Sequence, residues 1–235
     1  MNGLTYIGSE LELFANATVW KSYFRDRLSP YLGAEVLELG AGLGGTTRLL
    51  CRGDHRRWVC LEPDPKLAQQ VDQAIREGSI PPCCSTTVGT IDQFESEPSF
   101  DTLIYIDVLE HIEDDRGELT RAAELLKLGG HVIVLSPAHN WLFAPFDRAI
   151  GHYRRYSRPA LKALTPATLK LVRMDYLDSV GLLASLANRL MLHQSMPTHR
   201  QIAVWDKGMV PVSRLLDPIL GYNLGKSVLG IWNRI

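Results

Sequence analysis

The sequence predicts an α/β protein: a parallel sheet covered by helices on both faces. Two observations carry this expectation. Short apolar runs alternate with longer mixed stretches along most of the chain, the βαβα pattern of strands buried on both sides. The first of those runs also feeds directly into Gly40-Ala41-Gly42-Leu43-Gly44-Gly45. A strand entering so many glycines makes a tight turn into a helix, because side chains there would hold the backbone away from a ligand.

The elements follow in order. Residues 9–28 read as a helix, since Leu13, Ala17, Trp20 and Phe24 recur at three- and four-residue spacing, and Ser29-Pro30 stops it. Glu35–Leu39 is the first strand, and a helix starts near Thr46 after the glycines. Trp58–Leu61 is the second strand. Asp64 then serves as N-cap and Pro65 as the first residue of a helix ending near Gly78. Ser85–Val88 is a weaker third strand and Thr102–Ile106 the fourth. Glu118–Lys127 has apolar residues at 119, 122, 123, 125 and 126, which suits a helix closed by Gly129-Gly130. His131–Leu135 is the fifth strand.

Residues 136–157 show no period and are expected to form an irregular insert of the kind that carries function. Ser157 caps a short helix starting at Pro159, Leu169–Tyr176 is the sixth strand, and residues 180–193 form an apolar helix. A second irregular insert is expected over about 193–222, before a last strand at Ser227–Trp232. The 235 residues are expected to form a single domain over 1–235.

Composition narrows the class. Apolar residues make up 46% and charged residues 22%, which excludes a disordered, collagenous or coiled-coil chain. The net charge of −1 predicts no bulk attraction to nucleic acid or to an anionic membrane. The longest apolar stretch, Val180–Leu192, is broken by Asn188 and Arg189 and is too short to cross a bilayer. The opening MNGLTYIGSE has no basic start or apolar run, so a signal peptide is not expected. Cys51, Cys60, Cys83 and Cys84 contain no pair at CxxC spacing. They read as reduced thiols of a cytoplasmic protein, and no metal site is expected.

The chemistry concentrates at the glycine turn. Gly40, Gly42 and Gly45 satisfy the GxGxxG spacing, and Glu62 ends the second strand twenty residues after Gly42. A carboxylate there can accept from both hydroxyls of a ribose. Glu38 lies two residues before the first glycine. Beside the turn it would repel the pyrophosphate of a dinucleotide and attract the ammonium and sulfonium of S-adenosylmethionine.

Val36-Leu-Glu-Leu-Gly-Ala-Gly-Leu-Gly44 resembles the first motif of class I S-adenosylmethionine-dependent methyltransferases, and further segments match in order. Cys60-Leu-Glu-Pro-Asp64 is similar to the acidic end of that family's second strand, and Val88-Gly-Thr-Ile91 to its adenine loop. Phe100–Ile112 and Leu126–Ile133 resemble the fourth strand with its following turn, and the entry to the fifth strand, in the methyltransferase type 11/12 group. The resemblance implies a Rossmann-like, seven-stranded, mostly parallel sheet with a C-terminal antiparallel strand. It implies that Glu38, Gly40, Ala41 and Gly42 surround the methionine part of the cofactor and that Glu62 holds the ribose. Pro63, Thr90 and Ile91 would border the adenine, and Asp107 and Val108 would lie under the sulfonium. Thr90 stands where many members have an acidic residue, which leaves backbone groups to meet the adenine amine.

On the acceptor side, His111, His139 and His152 are the candidate general bases for a hydroxyl acceptor. Tyr153, Arg154, Arg155 and Tyr156 form the most distinctive text of the chain. The arginines could clamp a carboxylate or phosphate and the tyrosines stack on a ring, or an ion pair with Asp147 could pin the insert. The surrounding stretch resembles methyltransferases of bacterial glycan and natural-product pathways, which implies a small-molecule or carrier-linked acceptor; an oxygen, as hydroxyl or carboxylate, is the expected methylation site. The apolar stretches 180–192 and 211–220 could cover the acceptor, pack on the sheet or meet a second copy in a homodimer. Two rival readings remain. One is an NAD(P)-dependent oxidoreductase, whose Tyr-x-x-x-Lys pair is matched here only by Tyr222 and Lys226. The other is a non-catalytic scaffold of the same fold.

Overall fold

The computed structural model describes residues 10–187, 189 and 196–235. In chain order the N-terminal elements are α1 (Glu10–Ala15) and α2 (Thr18–Leu28). The single helix expected over 9–28 is therefore broken at Asn16-Ala17. Ala17 offers α2 no side-chain cap. Asp206 supplies one from the far end of the chain, accepting from Trp20 N at 2.8 Å and Val19 N at 3.3 Å.

The sheet half follows: β1 (Glu35–Leu39), α3 (Gly45–Leu50), β2 (Arg57–Glu62), α4 (Pro65–Arg76), β3 (Cys84–Val88), β4 (Phe100–Ile106), α5 (Asp115–Leu125) and β5 (Leu126–Pro137). Asp64 caps α4 as its sequence position predicts, its carboxylate accepting from Lys66 N at 2.8 Å with Pro65 at the first helical position.

The glycines after α5 do not close a helix. The backbone enters β5 at Leu126, pairs with Phe100, and then bulges so that the next matched pair is Thr102 with His131. Gly129 takes φ +79° in that bulge, and a Cβ on Gly130 would lie 3.0 Å from two backbone carbonyl oxygens.

The C-terminal elements are α6 (Pro145–Ala149), α7 (Arg158–Lys162), β6 (Leu169–Leu177), α8 (Ser179–Ala187), α9 (His199–Val204), α10 (Val210–Ile219) and β7 (Ser227–Arg234). The stretch 193–222 is thus not irregular where it is described: α9 runs through a π-helical turn at Trp205–Met209 into α10. The insert at 136–157 likewise holds α6 and a 3-10 turn at Asn140–Leu142. Asn188 and residues 190–193 of the expected apolar helix lie outside the described residues.

The seven strands form one sheet in the order β3-β2-β1-β4-β5-β7-β6, all parallel except β7, which runs antiparallel to both its neighbours. Two apolar layers cover its faces. Val36, Trp58, Cys60 and Ile104 pack with Trp20, Phe24 and Leu50 on one side. Leu37, Leu39, Val59 and Leu103 pack with Leu119, Ala122 and Leu126 on the other. Alternation along each strand divides the side chains between these layers. The order reverses between β1 and β4, and a doubly wound sheet opens its ligand crevice at the carboxyl ends of the strands on either side of such a point. Among the described residues no helix is long and apolar enough to cross a membrane.

Candidate active site

A cavity of about 1900 Å³ lies at the carboxyl ends of β1, β2 and β4. That exceeds the roughly 300–1,000 Å³ of an ordinary small-molecule site and leaves room for two ligands side by side. Its floor is the glycine turn. Gly40 takes φ +65°, and a Cβ there would stand 2.7 Å from Val108 Cγ2, so only glycine lets the β1 and β4 turns approach. Gly42 takes φ +55° and donates its N–H to Glu62 Oε2 at 2.8 Å. The other oxygen, Glu62 Oε1, accepts from Asp64 N at 3.0 Å. Two amides thus fix the carboxylate at the cavity wall, and burial raises its pKa.

Gly40, Ala41, Gly42, Glu62, Pro63, Thr90, Ile91, Asp107 and Val108 all line this one cavity, so nine of the ten expected cofactor residues are brought together. Asp92, two residues past Thr90, lines it as well.

Glu38 is the exception. It is buried but does not line the cavity. At its position in β1 the side chain shares the face of Val36, where Oε2 accepts from Thr47 Oγ1 and Trp58 Nε1, each at 2.7 Å. It locks α3 to β2, and burial pushes its carboxyl up to about 7. The expectation that Glu38 selects the cofactor by its charge is corrected accordingly. The carboxylates of Glu62, Asp107 and Glu110 stand at the cavity instead.

Another part of the cavity lining comes from the turn after β4. Asp107 is held at φ +54°, its N–H bonded to Leu135 O at 2.8 Å. A non-glycine residue in that region is uncommon and carries strain that the surrounding structure must sustain. Asp107 is open to the cavity, and partial desolvation by the cavity walls raises its carboxyl against the pull of His152, Lys226, Lys21 and Arg155. His111 lines the cavity, and burial, helped by His152, lowers its pKa to about 4, so it is neutral near pH 7. The His111 and His152 rings meet edge to face with centroids 4.5 Å apart.

His152 reaches the cavity from the chain segment after α6. Its Nδ1 pairs with Asp147 Oδ1 at 2.9 Å. Arg155 Nε and Nη2 bond the same carboxylate at 2.7 and 3.0 Å. Arg155 therefore makes the ion pair with Asp147 that pins the insert, and it also lines the cavity. Tyr153 also lines the cavity and is half exposed.

Three expected residues are placed elsewhere. His139 takes φ +66°, bonds Gly225 O through Nε2 at 2.9 Å and stacks against Tyr176 outside the cavity. Arg154 pairs with Asp115 Oδ2 at 2.6 Å and bonds Glu113 O. Tyr156 is buried and donates to the same Asp115 oxygen at 2.8 Å. These last two brace the loop after β4 rather than enter the cleft, because successive residues of the segment 153–156 face alternately in and out, as in any extended chain.

Sequence reasoning passed over Glu110, which lines the cavity fully buried, and the cover of the cleft: Leu11, Phe14, Trp20, Ala184, Ile202 and Trp205. It also did not foresee that Cys51 Sγ would lie 3.4 Å from Cys83 Sγ and 3.5 Å from Cys84 Sγ, away from the cavity.

Comparison with known proteins agrees with this geometry. Residues 37–132 match the family model described as a methyltransferase domain. A demethylmenaquinone methyltransferase of Tropheryma whipplei (strain Twist) is 28% identical over an alignment of 155 residues that covers 62% of this chain and 58% of that protein. The chain thus matches under two thirds of that relative's length. Among solved structures, geranyl diphosphate methyltransferase in complex with S-adenosylmethionine superposes with a TM-score of 0.67 at 14% identity, covering 97% of this chain and 91% of the other. The N-methyltransferase NodS from Bradyrhizobium japonicum WM9, in complex with S-adenosyl-L-homocysteine, gives 0.59 at 16% identity, covering 94% and 87%. The glycine turn and most of the β-strands that form the cavity floor fall within the stretch that matches the methyltransferase-domain model, and the solved methyltransferases share the fold.

Proposed function

We propose that S-adenosylmethionine binds along the glycine turn and that its methyl group passes to an oxygen of a small-molecule or carrier-linked acceptor, seated between the β4 turn and the cover. The observation that carries this reading is the continuity of the cavity. Gly40, Gly42 and Glu62 line the same cavity as Asp107, His111 and His152. In-line displacement at a sulfonium carbon needs little beyond alignment of the nucleophile, so a shared cavity is the main requirement.

Glu62 has one acceptor site left on each oxygen for the ribose hydroxyls once its two amide bonds are counted. Asp107, a second carboxylate lining the cleft, is suited to the cofactor's ammonium. His111, neutral and inside the cavity, can accept the proton of a hydroxyl acceptor. His152 is oriented by Asp147 beside it. The apolar side chains of α1, α8 and α9 close over an acceptor with an apolar body. The implied setting is the glycan or natural-product pathway that the 146–157 segment resembles.

The oxidoreductase reading loses its support at Tyr222. That residue takes φ +56° in the turn after α10, its hydroxyl bonds Arg27 at 2.9 Å, and no helix joins it to Lys226. Calorimetric titration of the full chain with S-adenosylmethionine and with NADPH tests the cofactor, and saturable binding of NADPH alone would overturn the proposal. Incubation with a metabolite library, followed by mass spectrometry for products gaining one methylene, tests the transfer.

A further inference from the structure

We propose that Glu110, His111 and His152 form a binding site for a divalent first-row transition cation within the cleft. Each offers one ligand atom, and the three atoms lie within 4.8 Å of one another. His152 Nε2 stands 3.8 Å from Glu110 Oε1. A cation bound at about 2.1 Å to each would bring such atoms to roughly 3–3.4 Å apart. Side-chain rotation about a common centre supplies that closure. One carboxylate and two imidazoles suit iron(II), cobalt(II), manganese(II) or zinc, and leave coordination positions open toward the cavity.

Two further observations point to a cation. Glu110 is fully buried and lines the cavity, and neither of its carboxylate oxygens makes a well-formed hydrogen bond, although the Ser136 hydroxyl and His152 Nε2 lie beside them. A buried carboxyl so poorly satisfied is costly unless something compensates it, and a cation does so directly. The second observation is the hold on His152. Asp147 takes Nδ1 at 2.9 Å and so presents Nε2 to Glu110. That is the carboxylate–histidine arrangement which fixes the tautomer and orientation of a metal-binding imidazole. Asp147 is in turn bonded by Arg155 and by Ala144 N at 2.8 Å. The Arg155 charge is therefore matched by Asp147, which leaves the Glu110 carboxylate to face a cation.

Placed there, the cation would take an oxygen of the acceptor as a further ligand and favour its deprotonated form, in place of His111 acting as the base. That role rests on the acceptor reading above; the binding itself does not.

The test uses the full chain, stripped with EDTA, dialysed, and titrated with cobalt(II) alone, followed by visible absorption and calorimetry. One cation should bind per chain with the weak visible bands of nitrogen and oxygen ligands. Glu110→Gln and His152→Asn should each weaken it at least tenfold. Asp147→Asn, which touches no ligand atom, should weaken it about 10- to 100-fold and serves if either of the others fails to fold. The cysteine cluster is a competing site. A variant with serine at 51, 83 and 84 should therefore bind cobalt as the wild type does. The proposal is overturned if no cobalt binds, if the bands are the intense near-ultraviolet ones of thiolate ligation and vanish in the serine variant, or if the Glu110, His152 and Asp147 variants bind unchanged. None of these outcomes depends on whether methyl transfer to oxygen is correct.

Discussion

The floor of the cleft and its cover are held in place by different means. The floor, from β1 to β4, is fixed by short-range backbone bonds. Gly40 N bonds Leu61 O across neighbouring strands, Gly44 N bonds Ala41 O within the turn, and Glu62 joins the ends of two adjacent loops. The cover is fixed by buried aspartates that reach across most of the chain. Asp206 caps α2 from 186 residues away. Asp217 accepts from Tyr23 Oη at 2.7 Å and from the amides of Asp178 and Ser179 at 2.7 and 3.1 Å. Asp178 accepts from Trp205 Nε1, Ser213 Oγ and the Gly181 amide. Three buried aspartates thus tie α2, α8, the π-helical turn after α9 and α10 together. The comparison implies that the cover can fail while the floor survives, since almost none of its bonds are shared with the turn.

The largest test of this division is Asp217→Ala. It strands a hydroxyl and two amides, all buried, and each orphaned donor costs about 1–3 kcal/mol. A loss of about 3 kcal/mol or more is expected in the urea unfolding free energy. A loss below about 1 kcal/mol would mean that the aspartates do not hold the cover.

Glu38→Gln tests the floor through pH. The folded protein holds this carboxyl at about 7 against an ordinary 4.5, so the native state keeps a proton that the unfolded chain has released. The contribution to stability is therefore full below about 4.5 and lost as pH rises toward 7, on the order of 3 kcal/mol for this shift. Both bonds to the group end on the same oxygen, Oε2, so glutamine can keep them. The stability of the variant relative to wild type should rise between pH 4.5 and pH 8, with cofactor affinity unchanged. Parallel stability curves would remove the linkage, and weakened cofactor binding would return Glu38 to the site.

Glu62→Gln acts on the same floor from inside the cavity. The variant presents an NH₂ group to an amide donor at either Gly42 or Asp64 and cannot accept from both ribose hydroxyls. Affinity for S-adenosylmethionine should fall about 10- to 30-fold by calorimetry, the loss of one to two hydrogen bonds to a charged group. Wild-type affinity would move the ribose elsewhere.

The same division governs what could be read in the sequence. The strands, the glycine turn, the Asp64-Pro65 start of α4 and the Ser157 cap of α7 were legible because each answers a local backbone need with a characteristic residue. The α5–β5 junction was misread for a related reason: Gly129-Gly130 serves a bulge or a helix end equally well, and the choice is made by pairing with β4. The cover was not legible. Asp206 and Asp217 look like ordinary surface acids of an amphipathic stretch, and only folding brings Trp20 and Tyr23 to them. Glu38 shows the same limit on a smaller scale. Its place in the motif was read correctly, but the face it occupies was set by strand alternation and by Trp58 on the neighbouring strand.

The smallest effect separates two adjacent arginines. Arg155 lines the cavity, whereas Arg154 points away from it to Asp115, with its side chain 30% exposed. An ion pair so placed is worth little, since solvent screens it and ordering the side chain offsets part of the gain. Tyr156 also continues to hold the Asp115 carboxylate when the arginine is removed. Arg154→Ala should therefore lower stability by only about 0.5–1 kcal/mol and leave both cofactor affinity and the acceptor KM unchanged. Arg155→Ala should raise the acceptor KM, because it frees the carboxylate that orients His152 at the cavity wall. Steady-state kinetics on the two variants, with whichever acceptor the library screen identifies, distinguishes a residue of the cleft from a brace behind it; an equal rise in KM for both would mean that the 153–156 segment turns inward when the acceptor binds.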